Sequence, residues 1–403
     1  MPLNLSIVES FLNDHMETMK DKTLLRHERC RILLGLYNEL QDSLKDYEAF
    51  ESESSSLVIH RIEKATAFEE LYECHRRAVG GVENYFLEED NVVDIHDLFR
   101  IIRDSLTQRV LQLVEKEMEG EGYGKPPADY VWVGLGSEGR DEQTMLTDQD
   151  NMIIYENDRD GSAPSYFKVF AEKAVERLHE VGFEKCKGGV MPSNEKWRGS
   201  LKDWKERLHE RLVFEKGIFE SLDMIILTDA RFIAGKKSIL TDLLTYFFAH
   251  LTDNKNVMKD FIQSAVLMPT ALTFFGNIKV EKGGGHEEMF NIKLLGWAPL
   301  ILAVRMLALS NNIFEPNTIR RIQMLREQNI INKDMGIDLI DGYLVFVKFR
   351  LINQIRNKGV ADLSYLRPDL LGPEGQEGLR KAMKVVEALQ KYIQEVLLFG
   401  QPI

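Results

Sequence analysis

Residues 131–155 read VWVGLGSEGRDEQTMLTDQDNMIIY, and the chemistry-bearing types in this stretch are a Gly136–Ser137 turn and two carboxylates, Asp148 and Asp150, one residue apart. A small turn lets backbone amides approach phosphate oxygens, and an Asp-x-Asp pair can hold the divalent cations that neutralise them, so the pattern points to phosphoryl chemistry. Two other phosphate or cation designs compete for the same residues. Gly134, Gly136 and Gly139 spell the G-x-G-x-x-G of a dinucleotide-binding fold, but that fold needs a full apolar-faced helix after the glycines. Here RDEQTMLTDQDN is almost wholly polar and a new strand begins by residue 152, so there is no room for the helix. A calcium loop at DQDN needs a third ligand, a glycine and a late glutamate; Met152-Ile153-Ile154-Tyr155 follows instead, which is a strand.

These residues must be carried by two adjoining strands, one ending at the turn and one beginning at the carboxylates, with Asp148 and Asp150 alternating onto one face. The short apolar runs Tyr130–Leu135, Met152–Tyr155 and Met224–Leu227 read as strands of a small sheet, with one helix over Tyr166–Val181. On either side the period is helical. No proline lies between Pro2 and Pro126, and Leu24, Leu25, Ile32, Leu33, Leu36 and Leu40 recur at helical spacing. Glu51–Ser56 (ESESSS) reads as a polar break between helices, and Asp94 as the cap of a long helix leading to the motif. Beyond Gly235 the helical period returns: Leu240–Leu251, Val257–Leu267, Leu300–Leu309, Thr318–Gln328, Leu339–Asn357 and Gly378–Leu398. The expected fold class is α+β: a small mixed β-sheet domain flanked by N-terminal and C-terminal helical regions, divided as 1–90, 91–235 and 236–403.

The 403-residue chain carries 64 acidic against 51 basic side chains, a formal net charge of −13, which argues against nucleic acid as the main partner. Three scattered cysteines (Cys30, Cys74, Cys186) make neither a disulfide framework nor a zinc set, and the nine histidines, His75 included, show no ligand spacing. The N-terminus lacks signal-peptide features and no stretch approaches 18 uninterrupted apolar residues, so a cytoplasmic protein without a membrane span is expected.

The segment GLGSEGRDEQTMLTDQDN resembles the nucleotidyltransferase superfamily. More closely, it is similar to the signal-transduction nucleotidyltransferases related to the N-terminal catalytic domain of protein-PII uridylyltransferase, through Gly136, Ser137, Gly139, Arg140, Glu142, Gln143, Thr147, Asp148, Gln149, Asp150 and Asn151. The likeness continues through Gly188–Trp204, Met224–Gly235, Phe274–Gly285, Phe290–Leu309 and FRLINQ (Phe349–Gln354), so it spans roughly residues 95–395. It implies transfer of a nucleoside monophosphate from a triphosphate (ATP or UTP) to an acceptor, a protein or a small molecule, with Mg2+ or Mn2+ as cofactor, two ions in all. Asp148 and Asp150 would be catalytic metal ligands, with Asp229 as the third carboxylate and Asp223 its rival. Gly136, Ser137 and Arg140 would bind the triphosphate, with Gln143 and Lys293 also at the nucleotide; Gln143 and Asn151 could equally brace the turn. Arg305, Asn194 and Arg198 are further candidates, whereas Trp197 and Trp204 anchor their loop in the core. Residues 236–403 would form the substrate-binding region. A non-catalytic regulator that binds nucleotide and works through its helical flanks is the alternative; an RNA-directed transferase is a third, disfavoured by the charge.

Overall fold

The computed structural model describes residues 11, 14–16, 18–20, 24–146, 148–157, 161–357 and 362–398; Thr147 of the motif, and much of the N-terminal stretch counted with the first helical region, lie outside them. Three helices lead in: Arg26–Lys64, Phe68–Glu89 and Val92–Gly120. The first runs straight through Glu51–Ser56, so the expected break there is absent. Nothing in ESESSS forbids helical backbone: it holds neither glycine nor proline, and a serine costs a helix interior only about 0.5 kcal/mol. The third helix is capped by Asn91, whose Oδ1 accepts from the amides of Val93 and Asp94. Asp94, the expected cap, sits one turn in and accepts from Asn91 Nδ2 and Tyr85 Oη.

The sheet follows. Strands β1 (Tyr130–Gly134), β3 (Asn151–Tyr155), β5 (Arg198–Ser200) and β6 (Arg231–Gly235) align in the order β5-β3-β1-β6, and β2 (Asp148–Gln149) pairs with β4 (Glu184–Lys185) beside them. β1 and β3 are antiparallel in a register that sets Gly134 opposite Asn151 and Tyr130 opposite Tyr155. Both are buried along nearly their whole length because helices cover them on each side, which is why they read as continuous apolar runs rather than as alternation. Met224–Leu227 is not a strand: residues Ser221–Leu227 form a helix, and the sheet resumes only at β6.

The remainder is helical. The helix Ala298–Ser310, entered through a π-helical turn at Lys293–Trp297, runs through the middle, and the helices Thr318–Glu327, Lys333–Arg356 and Pro373–Ile393 pack around it. Lys293–Ser310 is long and apolar enough to cross a membrane by length and composition, yet 67% of it is buried inside the fold, as expected of a core helix. The fold is therefore mostly helical with small mixed sheets, the α+β arrangement with helical flanks that the patterning predicts.

Candidate active site

Gly136 opens a single helical turn, Gly136–Gly139, immediately after β1. The first amides of such a turn have no acceptor within it, so they are available to an anion. Gly136 has φ +54°, a conformation that costs an L side chain about 1 kcal/mol, and a Cβ there would run into the Asp150 carboxylate. The turn and the carboxylate are thus in direct contact. Gly139 is required for a different reason: a Cβ would collide with the Asp229 carbonyl and stand 2.8 Å from that of Gly134.

The alternation expected of DQDN holds. Asp148 and Asp150 come together on one side, where their carboxylate oxygens and the Cys186 Sγ all lie within 4.8 Å of one another. Gln149 turns inward and donates to the carbonyls of Val175 and Phe183, at 3.1 Å each. Asn151 donates to the buried Glu138 at 2.5 Å. Burial, reinforced by the neighbouring Asp148 charge, pushes the Asp150 carboxyl up to about 6, while Cys186 bonds to it and Lys293 and Arg140 act in the opposite sense. Cys186 is itself pushed up to about 11 by burial and by Asp150, so it stands as a neutral thiol donating to the carboxylate. Two carboxylates in mutual repulsion fit a hard divalent cation, whose other ligands come from water and substrate phosphate; a protonated thiol is a poor ligand for such an ion. The donor set therefore suits Mg2+ or Mn2+ through Asp148 and Asp150.

Asp229 is not part of this cluster. It is 1% exposed, and its carboxylate is enclosed by guanidinium groups: Arg140 Nη1 at 2.6 Å, Arg321 Nη2 at 3.4 Å, and Arg305. In this structure the carboxylate expected as the third metal ligand is engaged by three cations. Asp223 does not replace it, since it pairs with Lys196 at 2.5 Å and caps its own helix through the Glu220 amide. Arg140, expected at the triphosphate, is engaged in the same cluster. Its Nε donates to Glu142 at 2.8 Å and its Nη1 to Asp229, and it is buried there. Burial opposes its charge, but Asp229 and Glu142 overcome that and hold it firmly protonated.

The polar spacer that follows the turn proves to be a set of braces. Gln143 is buried, and its carbonyl bonds to His96 Nδ1 at 2.9 Å, while His96 Nε2 meets the Tyr343 hydroxyl at 3.0 Å. Arg103 donates to the carbonyls of Thr144 and Met145, and Gln354 Nε2 to Thr144 Oγ1. Asn194 and Arg198 are also taken up locally, Asn194 as a helix cap and Arg198 on the carbonyls of Pro192 and Ser193. Trp197 and Trp204 lie in the core as expected, with Trp204 stacked on Phe219 and its indole N–H on the Ile153 carbonyl. Lys293 is half-buried at the start of the π-helical turn with its charge directed on Asp150.

Three members of this neighbourhood were not singled out from the sequence. Cys186 and Glu138 carry no motif of their own. Arg350 lies inside FRLINQ, and its position against Trp297 and Asp148 becomes visible only through the packing of separate helices.

Comparison with known families agrees with the site. Residues 77–215 match the family described as "Putative nucleotidyltransferase DUF294" and residues 255–397 its companion, "Putative nucleotidyltransferase substrate binding domain". Together they take in most of the chain, the Gly-Ser turn and both aspartates included, and the protein belongs to this nucleotidyltransferase family. No curated protein matches the chain.

Proposed function

We propose that the protein is a metal-dependent nucleotidyltransferase that moves a nucleoside monophosphate from ATP or UTP to a protein or small-molecule acceptor in bacterial signalling, in the manner of protein-PII uridylyltransferase. The observation that carries this reading is the contact between Gly136 and the Asp150 carboxylate beside Asp148. It sets the first amides of the turn, which have no acceptor within it, against a pair of carboxylates that can hold a metal ion. In this reading residues 91–235 are the transferase unit and residues 236–403 bind substrate. Bound at Asp148 and Asp150, a divalent cation would neutralise the triphosphate and sharpen the attacking group. The chain supplies the rest. The Gly136–Ser137 amides orient the phosphates, and Lys293 adds positive charge beside Asp150. Three unpaired cysteines support a reducing, cytoplasmic setting.

The test is transfer of label from α-labelled ATP and UTP to lysate proteins and small molecules. Asp148→Asn and Asp150→Asn each lose transfer by at least about a thousandfold, the scale set by removal of an electrostatic catalytic group, while far-ultraviolet circular dichroism stays unchanged. Full transfer by either variant sinks the site assignment. Tight triphosphate binding with no pyrophosphate release across many acceptors would favour the non-catalytic regulator instead.

A further inference from the structure

An arginine head carries five N–H donors, and burying it without partners is costly. Four buried arginines near the site, Arg103, Arg140, Arg305 and Arg321, all donate to carbonyls or carboxylates. Arg350, on the helix Lys333–Arg356, does not: among the described residues it makes no hydrogen bond and no ion pair, and its fully buried Nη1 has no acceptor. What fixes it is the face of Trp297, 4.3 Å below, whose own indole N–H is also without a partner. Burial draws its proton affinity down to about 10, with Tyr343, Glu142 and Asp148 acting to hold the charge and Arg140 acting against it. Arg350 therefore remains a cation at neutral pH. A stacked guanidinium is held in plane with its donor edge undirected by any protein acceptor, which is the preparation a phosphate-binding fork requires.

Its surroundings say which phosphate. Each of the paired aspartates interacts electrostatically with one cation from the C-terminal region, Asp150 with Lys293 and Asp148 with Arg350. A stacked guanidinium with an unpartnered Nη1 and Asp148 among the charges acting on it suits the oxygens of a phosphate that shares a cation with Asp148. We infer that Arg350 is a triphosphate-binding residue of this site, delivered by the C-terminal helical region so that the nucleotide is gripped from both halves of the molecule. The inference rests on the nucleotidyltransferase reading above. It makes the helical region part of the nucleotide site and not only a dock for the acceptor.

The test uses Arg350→Met, which keeps length and apolar contact with Trp297, and Arg350→Lys, which keeps charge without the planar fork. Calorimetry with Mg2+ and inorganic tripolyphosphate, ATP or UTP is run beside ligand-free thermal unfolding. Arg350→Met unfolds at the wild-type temperature or above, because an unpartnered cation has been removed. It binds tripolyphosphate and both nucleotides about ten- to hundredfold more weakly, by the same factor for each, as expected for loss of a charge-assisted contact that ignores the base. Arg350→Lys falls between. Unchanged affinity in Arg350→Met overturns the inference and leaves the enzyme reading standing, as does a loss of affinity accompanied by a lower ligand-free unfolding temperature, the mark of a structural stacking role. A wild-type protein that binds none of the three ligands overturns the enzyme reading and this inference together.

Discussion

Glu138 shows how far a single side chain can depart from its ordinary chemistry in this fold. It sits in the turn between Gly136 and Gly139, buried, with Oε2 accepting from Asn151 at 2.5 Å. Burial pushes its carboxyl up to about 8; Arg231 and the Asn151 bond oppose this, and the charges of Asp104 and Asp150 add to it. At neutral pH it is therefore a protonated acid close to the Asp148–Asp150 pair. The sign of the stability effect follows by linkage. The folded carboxyl titrates near 8 and the unfolded one near 4.5, so between those values the native state holds a proton that the unfolded chain has released. Native stability consequently falls as pH rises through that window and levels off above it. Glu138→Gln removes the titration while keeping shape and an acceptor for Asn151. Denaturant midpoints at pH 5, 7 and 9 are expected to show the variant gaining on wild type with each step up to about pH 8. Parallel curves for the two proteins would mean that Glu138 is ionised in the native state.

At the scale of elements, Gly136→Ala is the sharpest probe of the turn. It places a side chain in left-handed backbone and displaces the Asp150 carboxylate, so a stability loss of about 1–2 kcal/mol is expected together with near-complete loss of transfer. Comparing the unfolding midpoint with kcat separates the two; an active Gly136→Ala protein would show that turn and carboxylate need not touch. The turn, β1 and β3 are legible in the sequence because buried β-strands write continuous apolar runs bounded by glycine and acid. Ser221–Leu227 is not, since its apolar residues are as consistent with a short strand as with two turns of helix. The discriminating signal was the reciprocal cap, in which Asp223 accepts from the Glu220 amide and stops the residue from serving as a site carboxylate. The expectation at Asp229 rests on the same run, since its place after apolar residues reads as the end of a strand. The three arginines that claim it come from positions 140, 305 and 321, a grouping no local pattern records.

The whole molecule is joined at that grouping. Arg140 and Glu142 lie in the segment matched to the nucleotidyltransferase family, Asp229 precedes β6, and Arg305 and Arg321 are on the C-terminal helices; Glu142 also accepts from the Thr318 amide and Asn317 Nδ2 donates to the Arg140 carbonyl. Three guanidiniums against two carboxylates form a buried knot in which Asp229, alone among the described residues, pairs with all three cations. Burial already pulls Arg305 down to about 9 despite the attraction of Asp229. Removing that negative charge leaves Arg305 and Arg321 facing Arg140 with no anion between them, and breaking a buried ion pair from one side costs about 3–5 kcal/mol. Asp229→Asn is therefore expected to unfold at markedly lower denaturant and to lose the fixed placement of the C-terminal helices over the site. Asp229→Asn combined with Arg305→Met, which removes one cation along with the anion, recovers part of that loss, a coupling read directly from a double-mutant cycle. A metal ligand would behave in the opposite way: its replacement leaves folding intact, weakens Mn2+ binding, and shows no coupling to Arg305. The cycle thus decides whether Asp229 serves the chemistry directly or serves it by holding the two halves of the site together.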